Sequence, residues 1–469
     1  MSSPPAPSFR PPCGPVRGWV DREVIRATGI PYATAGRFEP PVPAQDWDDP
    51  YPATSWSPAC PQPPTPLLDA VLGNQLEHLP RDEHCQHLSV TLPRDVAPGE
   101  ALPVMVWIHG GSYTSGAGDM AITDPAALVA EQRVVVVSVT YRLGIFGYLG
   151  DGRGRPANLG LLDQVEALRW VQRNIAAFGG DPSQVTAFGE SAGADAVAHL
   201  MATPGATQLF RRAIIQSPPL GISRGRERMT AAMAEAADRV TSEMPAAEVV
   251  ALQPDVEKVS SSFGLIAGMP FGTQYGLPPL PAEDAVEAAW DSVAPDIDVL
   301  IGHTAEEAKL FLSRAPTLQR LTNLPVVGGL ICRAVVRYVT AAVYSRGVRR
   351  FARRHARAGG RVHTYVVTWS APGNPYGAAH TIDLPLLFGD EEAWRSAALV
   401  AGASWAEINR QATSVRKVWA DFARGELGDR GRLPGVLHYR AHRRVSRVRP
   451  SDDEHAGQLT GLSPQSSSA

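Results

Sequence analysis

The stretch 185–201, VTAFGESAGADAVAHLM, decides the fold of this 469-residue chain. Its first four residues form an apolar, strand-like run, and the alanine-rich run 192–201 is typical of a helix. Between them, Gly189-Glu190-Ser191-Ala192-Gly193 follows the pattern Gly-x-Ser-x-Gly. Between a strand and a helix, this pattern forms a sharp, strained turn that presents the serine hydroxyl above a sheet. The stretch therefore predicts Ser191 as a nucleophile at a helix N-terminus, which favours nearby negative charge.

A second glycine-rich turn, His109-Gly110-Gly111-Ser112-Tyr113, follows the apolar run 102–109. Acyl transfer passes through a tetrahedral intermediate whose negative oxygen needs backbone N–H donors that are fixed in advance. Glycines allow the backbone to approach such an oxygen because no Cβ stands in the way. In α/β-hydrolases a loop of this type supplies those donors. We interpret the turn as an oxyanion loop, and Tyr113 beside it as a candidate substrate contact.

Strands and helices alternate through the centre of the chain. Runs typical of strands that are buried on both faces of a sheet stand at 102–109, 134–141, 185–188, 213–216, 299–302 and 362–369. The run 161–178 places leucine and valine on one helical face and stops at Gly179-Gly180-Asp181-Pro182. This alternation predicts an α/β protein with a mostly parallel central sheet and helices on both faces.

A serine nucleophile needs a histidine base that is itself oriented by a carboxylate. In α/β-hydrolases the chain order is Ser, acid, His, so the base should stand on a loop well after Ser191. His380 follows the strand 362–369 through the loop 371–375 and is the best placed. The other late histidines lie in a basic helical stretch, in a strand, among arginines or in the tail: His355, His363, His438, His442 and His455.

The acid should follow a strand that lies between the serine and the histidine. The apolar run 299–302 stops at His303-Thr304-Ala305-Glu306-Glu307. Glu306 and Glu307 both qualify, and spacing alone does not separate them. Both also suit the first turn of a helix, where acidic residues are common.

The composition is that of a globular enzyme, with 44% hydrophobic and 19% charged residues and a formal net charge of -3. This charge predicts no broad attraction to nucleic acid or to anionic membranes, and no apolar run is long enough to span a bilayer. The four cysteines do not form a disulfide scaffold. We expect a cytoplasmic enzyme without cofactor or metal, because no secretory signal, ligand cluster or phosphate loop is visible.

The two ends of the chain differ in composition from its centre. Residues 1–16 are rich in proline and predict a disordered leader. The polar stretch 450–469 predicts a flexible tail. No repeat or linker interrupts residues 17–449, which we therefore expect to form one catalytic domain.

Many motifs together resemble type-B carboxylesterases, the family of cholinesterases and bacterial para-nitrobenzyl esterases. They include Gly29-Ile30-Pro31-Tyr32-Ala33, Tyr141-Arg142-Leu143-Gly144, residues 158–164 (NLGLLDQ), residues 174–182 (NIAAFGGDP), the pentapeptide around Ser191 and Gly377-Ala378-Ala379-His380. The resemblance implies an α/β-hydrolase fold. Because the chain is short between residues 220 and 281, it also implies a shortened cap region over the active site.

The resemblance further implies roles for individual residues. The family's Gly-x-x-x-Asp-Glu-Gly segment carries its acid on the Glu, which matches Glu307. The oxyanion donors would be the N–H groups of Gly111, Ser112 and Ala192, with a serine at Ser112 where the family usually has a third glycine. The match also implies a Cys60–Cys85 disulfide under oxidising conditions, and the ion pairs Arg37–Glu83 and Arg142–Asp163.

The expected reaction is hydrolysis of a small-molecule carboxylic ester through an acyl-enzyme on Ser191. His380 would serve as the base and Glu307 as the acid that orients it. Two alternatives stay open. One is a non-catalytic binding or adhesion protein on the same fold, and the other is a hydrolase of carbamates or thioesters.

Overall fold

A computed structural model describes residues 6–73, 76–97, 99–312 and 328–442. Its centre is an eleven-stranded sheet. Numbered along the chain, the strands of this sheet are β1 (Trp19–Asp21), β2 (Val24–Pro31), β3 (His87–Pro93), β4 (Leu102–Ile108), β5 (Val135–Val139), β6 (Gly180–Glu190), β7 (Arg212–Gln216), β8 (Asp298–Thr304), β9 (Val362–Val367), β10 (Arg430–Leu433) and β11 (Leu437–Ala441).

The strands lie in the order β10-β11-β9-β8-β7-β6-β4-β5-β3-β2-β1. The six strands from β9 to β5 run parallel to one another. The outer strands pair antiparallel, so the sheet as a whole is mixed. Each of the six apolar runs singled out in the sequence corresponds to one strand of the parallel centre. The antiparallel strands escaped prediction because polar residues interrupt their apolar runs, as in β3 (HLSVTLP) and β10 (RGRL).

The α-helices of the described residues are α1 (Pro66–Leu72), α2 (Ala126–Gln132), α3 (Gly144–Gly147), α4 (Leu159–Asn174), α5 (Ala192–Leu200), α6 (Ala206–Leu209), α7 (Glu227–Ala236), α8 (Ala246–Val259), α9 (Val286–Val293), α10 (Lys309–Leu312), α11 (Gly328–Val339), α12 (Arg346–Arg357), α13 (Glu391–Trp394) and α14 (Trp405–Arg424). The helix predicted over 161–178 is α4 followed by the 3₁₀ turn Ile175–Phe178. Within the described ranges, no helix has both the length and the apolarity that a membrane crossing requires.

Helices cover both faces of the sheet because the central strands present apolar side chains in both directions. Along β4, Val104 and Val106 belong to one core cluster, and Met105 and Trp107 belong to the other. Buried residues of α4, α5 and α12 complete the first cluster. Those of α2 and α14 complete the second. The predicted α/β architecture, with helices on both faces of the sheet, is thereby confirmed.

The prediction of a disordered leader over residues 1–16 is wrong for residues 6–16. Ser8–Phe9 pairs antiparallel with Val16–Arg17. Cys13 is buried, and its N–H donates to Asn174 Oδ1 at 3.0 Å. Prolines limit regular structure, but a terminal segment is still ordered when its backbone and apolar side chains find partners in the core. The predicted tail 450–469 lies outside the described residues, and the single domain over 17–449 stays a prediction.

Of the residue pairs that the resemblance implies, the two ion pairs are present and the disulfide is not. Arg142 and Asp163 form a buried ion pair at 2.7 Å. Arg37 and Glu83 also pair, at a partly exposed position. Cys60 and Cys85, by contrast, are buried free thiols. The two thiols contact each other, and burial raises the pKa of Cys85.

Candidate active site

Ser191 stands at the tip of the turn that joins β6 to α5. Its backbone has φ 57° and ψ -122°, a positive-φ conformation that is costly for a non-glycine residue. The turn can close this tightly because Gly193 has no side chain: a Cβ there would lie 2.0 Å from the carbonyl oxygen of Ile108 on β4. The N–H of Ser191 donates to the carbonyl oxygen of Gln216 on β7 at 2.9 Å. The two neighbouring strands thus hold the strained turn in place.

His380 lies between Ser191 and Glu307. Its Nε2 is 2.8 Å from Ser191 Oγ, and its Nδ1 is 2.5 Å from Glu307 Oε2. His380 is 2% exposed and Glu307 is fully buried. The fold brings these side chains into contact although the histidine lies 189 positions after the serine and 73 after the glutamate. This chain of contacts is the one that a nucleophile, a base and an orienting acid require.

Glu307 and its neighbour Glu306 have different partners. Glu307 accepts from His380 through Oε2 and from the N–H of Thr304 through Oε1 at 2.7 Å. Burial opposes ionisation of Glu307, but His380 outweighs burial and holds the pKa of this carboxyl below its usual value. The side chain of Glu306 is 36% exposed and pairs with Lys309 at 2.7 Å. The structure therefore separates two residues that spacing in the sequence leaves equivalent.

The loop that carries His380 follows β9 and is held close to Glu307. The N–H of His380 donates to the Glu307 carbonyl oxygen at 3.3 Å. The rings of Phe311 and Tyr344 pack against the imidazole, with centroid distances of 5.4 and 5.2 Å. These contacts restrict the orientation of the imidazole ring. The other late histidines lie within α12, β9 or β11, after β11, or outside the described residues: His355, His363, His438, His442 and His455.

The glycine-rich loop after β4 lies directly against the serine turn. A Cβ at Gly110 would be 3.2 Å from Ser191 Cβ. The loop bends through three consecutive positive φ angles, 108° at Gly111, 56° at Ser112 and 60° at Tyr113. No described residue accepts a hydrogen bond from the N–H of Gly111 or Ser112. The N–H of the first residue of α5 is likewise without an intrahelical partner, so these donors are available to a bound oxygen atom.

Tyr113 does not line the cavity beside Ser191, so its prediction as a substrate contact is wrong. Its side chain is fully buried, and its hydroxyl donates to Asp195 Oδ2 at 2.8 Å. Asp195 lies one turn after Ser191 on α5, and its N–H donates to the Ser191 carbonyl oxygen at 2.9 Å. The hydroxyl of Ser223 also donates to the Asp195 carboxylate, and His199 lies 3.4 Å from it. Tyr113 therefore ties the glycine-rich loop to the helix that follows the serine.

Two further carboxyl groups lie near His380, and neither was predicted from the sequence. Glu190 Oε1 is 3.3 Å from His380 Nε2, and Asp383 accepts from Gln216 Nε2 at 2.8 Å. Burial raises the pKa of Glu190 to about 8 and that of Asp383 to about 6. Burial alone would lower the pKa of His380, but Glu190 and Glu307 together raise it to about 9. The signals were visible, since Glu190 lies inside the pentapeptide and Asp383 three residues after the histidine.

Ser191 and His380 open into a cavity of about 140 Å³. Its walls are mainly apolar and include Leu68, Leu72, Leu76, Met120, Ile122, Leu310, Phe311 and Leu384. An apolar cavity with a few convergent polar groups is typical of a small-molecule site. A cleft of about 970 Å³ lies elsewhere, around residues 226–238 and 273–283. It is not lined by Ser191, His380 or Glu307. The described side chains include no group of three or more His, Cys, Asp or Glu that could hold a metal ion.

Comparisons with known proteins identify the family of this chain. The carboxylesterase family model matches residues 6–323. A probable N-octanoylanthranilate hydrolase of Rhodococcus erythropolis is 36% identical over 89% of this chain and 93% of its own length. The para-nitrobenzyl esterase of Bacillus subtilis is 32% identical over 88% of each chain.

Solved structures give the same result for the fold. A thermophilic para-nitrobenzyl esterase superposes with a TM-score of 0.74 at 30% identity, over 90% of this chain and 91% of the other. A carboxylesterase of Geobacillus stearothermophilus has a TM-score of 0.71 at 29% identity, over 89% and 90%. The chain therefore belongs to the carboxylesterase family and is a carboxylic ester hydrolase with the α/β-hydrolase fold.

Proposed function

We propose that the protein cleaves carboxylic esters in two steps through an acyl-enzyme on Ser191. The observation that carries the proposal is the hydrogen bond of 2.8 Å between Ser191 Oγ and His380 Nε2, continued by that of 2.5 Å to Glu307. His380 accepts the hydroxyl proton as Ser191 attacks the carbonyl carbon, and Glu307 stabilises the resulting imidazolium. His380 then protonates the leaving alcohol. In the second step it takes a proton from water, which releases the acid and restores Ser191.

The oxyanion of each tetrahedral intermediate would be bound by the backbone N–H groups of Gly111, Ser112 and Ala192. Two observations support this assignment: the loop lies against Ser191, and the donors of Gly111 and Ser112 have no described protein acceptor. Fixed donors stabilise charge as it develops without reorganising, and the loss of one costs about 100- to 1,000-fold in rate.

The apolar walls of the cavity favour a substrate with an apolar acyl or alcohol group. Each buried methylene contributes about 0.8 kcal/mol, or roughly fourfold in kcat/KM. We therefore expect kcat/KM for para-nitrophenyl esters to rise with acyl length until the cavity is filled, and then to fall. A profile that is flat from acetyl to dodecanoyl would contradict an apolar acyl site.

Cleavage of an N-acyl bond is a second candidate function. It is favoured by the relative named a probable N-octanoylanthranilate hydrolase, which matches along nearly the whole chain. The same serine, base and oxyanion donors serve ester and amide carbonyls. Release of anthranilate from N-octanoylanthranilate, measured beside release of para-nitrophenol from the octanoyl ester, would rank the two.

A fluorophosphonate probe tests the assignment of the nucleophile. The wild-type protein should be labelled, Ser191→Ala should not, and the exposed control Ser183→Ala should be labelled like the wild type. Ser191→Ala should also lose turnover of a short-chain aryl ester. Wild-type turnover in Ser191→Ala would remove Ser191 as the nucleophile. An unlabelled, inactive but folded wild type would favour a non-catalytic binding protein.

A further inference from the structure

A long arginine-rich helix runs over residues 328–357. It consists of α11, the π-helical segment Thr340–Ser345 and α12, which follow one another with helical backbone at both joins. Its charged residues are eight arginines, with no lysine and no acidic residue: Arg333, Arg337, Arg346, Arg349, Arg350, Arg353, Arg354 and Arg357. Exposed helices usually mix both signs of charge. Here a strongly positive helix belongs to a chain whose net charge is -3.

The inner side of this helix packs against the rest of the protein. Phe351 packs into the core, and Tyr344 packs against the imidazole of the active site. Arg354 pairs with Glu287 and Asp291, and Arg350 also pairs with Glu287. The remaining six arginines have no carboxylate of the described chain within ion-pair distance, and all six are exposed: Arg333, Arg337, Arg346, Arg349, Arg353 and Arg357.

These six arginines form one stripe. In α11 and in α12 they recur every three or four residues, which places each set on one side of its helix. The wider turn of the π-helical segment keeps the two sets on the same side. At 1.5 Å per residue, the whole helix is about 45 Å long. A surface groove of about 630 Å³ follows its second half. It is lined by Arg346, Arg349, Arg353 and Arg357 together with the ion pairs that Arg350 and Arg354 form with Glu287 and Asp291.

Two large apolar side chains share the outer face with the arginines. Leu330 is 60% exposed and Tyr338 is 59% exposed. They flank Arg333 and Arg337 at helical spacing. Arginines beside exposed apolar side chains suit the interface of an anionic membrane, where cationic groups contact lipid phosphates and apolar groups reach the acyl boundary. Duplex DNA would present phosphate groups to the arginines but no apolar surface to Leu330 and Tyr338.

We propose that the outer face of helix 328–357 binds the surface of an anionic phospholipid bilayer. The six arginines would contact lipid phosphates, and Leu330 and Tyr338 would reach the boundary of the acyl chains. The local charge of this face outweighs the net charge of the chain, which by itself predicts no such attraction. The proposal is independent of the identity of the substrate.

Co-sedimentation of the full chain with vesicles tests the proposal. The wild type should bind vesicles of equimolar phosphatidylcholine and phosphatidylglycerol but not of phosphatidylcholine alone, and high salt should weaken binding. Each arginine near an anionic surface contributes about fivefold to partitioning. Replacing Arg346, Arg349, Arg353 and Arg357 by glutamine should therefore lower binding by at least about 100-fold.

The matched control replaces four exposed arginines elsewhere, Arg10, Arg228, Arg239 and Arg410, by glutamine. This control has the same net charge as the fourfold stripe variant and should bind like the wild type. Unchanged hydrolysis of a soluble aryl ester would show that the stripe variant is folded. If it is not folded, Arg353→Gln alone should still lower binding by about fivefold.

The two exposed apolar residues distinguish binding to a bilayer from binding to a nucleic acid. Leu330→Ser with Tyr338→Ser should weaken vesicle binding while leaving any binding to duplex DNA unchanged. The proposal is overturned by equal binding to neutral and anionic vesicles, by an equal loss in the control variant, or by tighter binding to duplex DNA than to anionic vesicles at the same salt. No binding of the wild type to anionic vesicles overturns it as well.

Discussion

Glu307→Gln and Glu306→Gln should have very different effects on catalysis, although the two glutamates are adjacent in the chain. Glu307→Gln keeps the shape of the side chain and removes its charge. The remaining oxygen can still accept from Thr304, as Oε1 does at 2.7 Å. The side-chain amide nitrogen of the glutamine then directs an N–H donor at His380 Nδ1. His380 must therefore carry its proton on Nε2, the nitrogen that faces Ser191, and it can no longer act as the base.

A substitution that enforces the wrong histidine tautomer costs about 10,000-fold in kcat, or roughly 5 kcal/mol in activation free energy. Glu306→Gln is the matched control. Glu306 is partly exposed and pairs with Lys309, and an ion pair of this kind contributes less than about 1 kcal/mol. We expect Glu306→Gln to change kcat by less than about fivefold.

Steady-state hydrolysis of para-nitrophenyl butyrate measures both variants. Near-ultraviolet circular dichroism and thermal unfolding confirm that each is folded. Glu307→Gln should lose kcat with little change in KM, because the acid acts on the base and does not touch the substrate. A greater loss of kcat in Glu306→Gln than in Glu307→Gln would refute the assignment of the acid.

Three further substitutions probe the turn, the titration and the loop. Gly193→Ala should abolish esterase activity and lower the thermal unfolding temperature, because its Cβ would lie 2.0 Å from the Ile108 carbonyl oxygen. Burial lowers the pKa of His380, but the neighbouring carboxylates raise it to about 9. The base must be neutral, so kcat/KM should rise with pH above the usual histidine range. In Glu190→Gln this rise of kcat/KM should occur at lower pH. A rise at unchanged pH would contradict the coupling between Glu190 and His380. Tyr113→Phe should lower the stability to urea by about 1–3 kcal/mol, since a buried acceptor loses its donor. The same change should lower kcat more than it raises KM.

The parallel centre of the sheet could be predicted from the sequence, and its edges could not. Strands such as β4 and β5 are buried on both faces, so they stand out as unbroken apolar runs. The outer strands obtain their structure from backbone hydrogen bonds to a neighbour, and their side chains leave no comparable pattern. The segment 6–16 was mispredicted for a related reason. Its order depends on partners such as Asn174, which lies far away in the chain.

Ser191, the proposed nucleophile, could be identified from the sequence alone, because a strained turn between a strand and a helix needs small residues within one short stretch around it. His380, the proposed base, followed from chain order and from its predicted place on a loop. The resemblance to the carboxylesterases already pointed to Glu307, while spacing alone left Glu306 open, and the tertiary structure pairs Glu307 with His380 and Glu306 with Lys309. The internal position of Tyr113 and the carboxyl groups around His380 emerged only from the tertiary structure. Each depends on which side chains meet across the sheet, and contacts between residues that are distant in the chain leave no local pattern in the sequence.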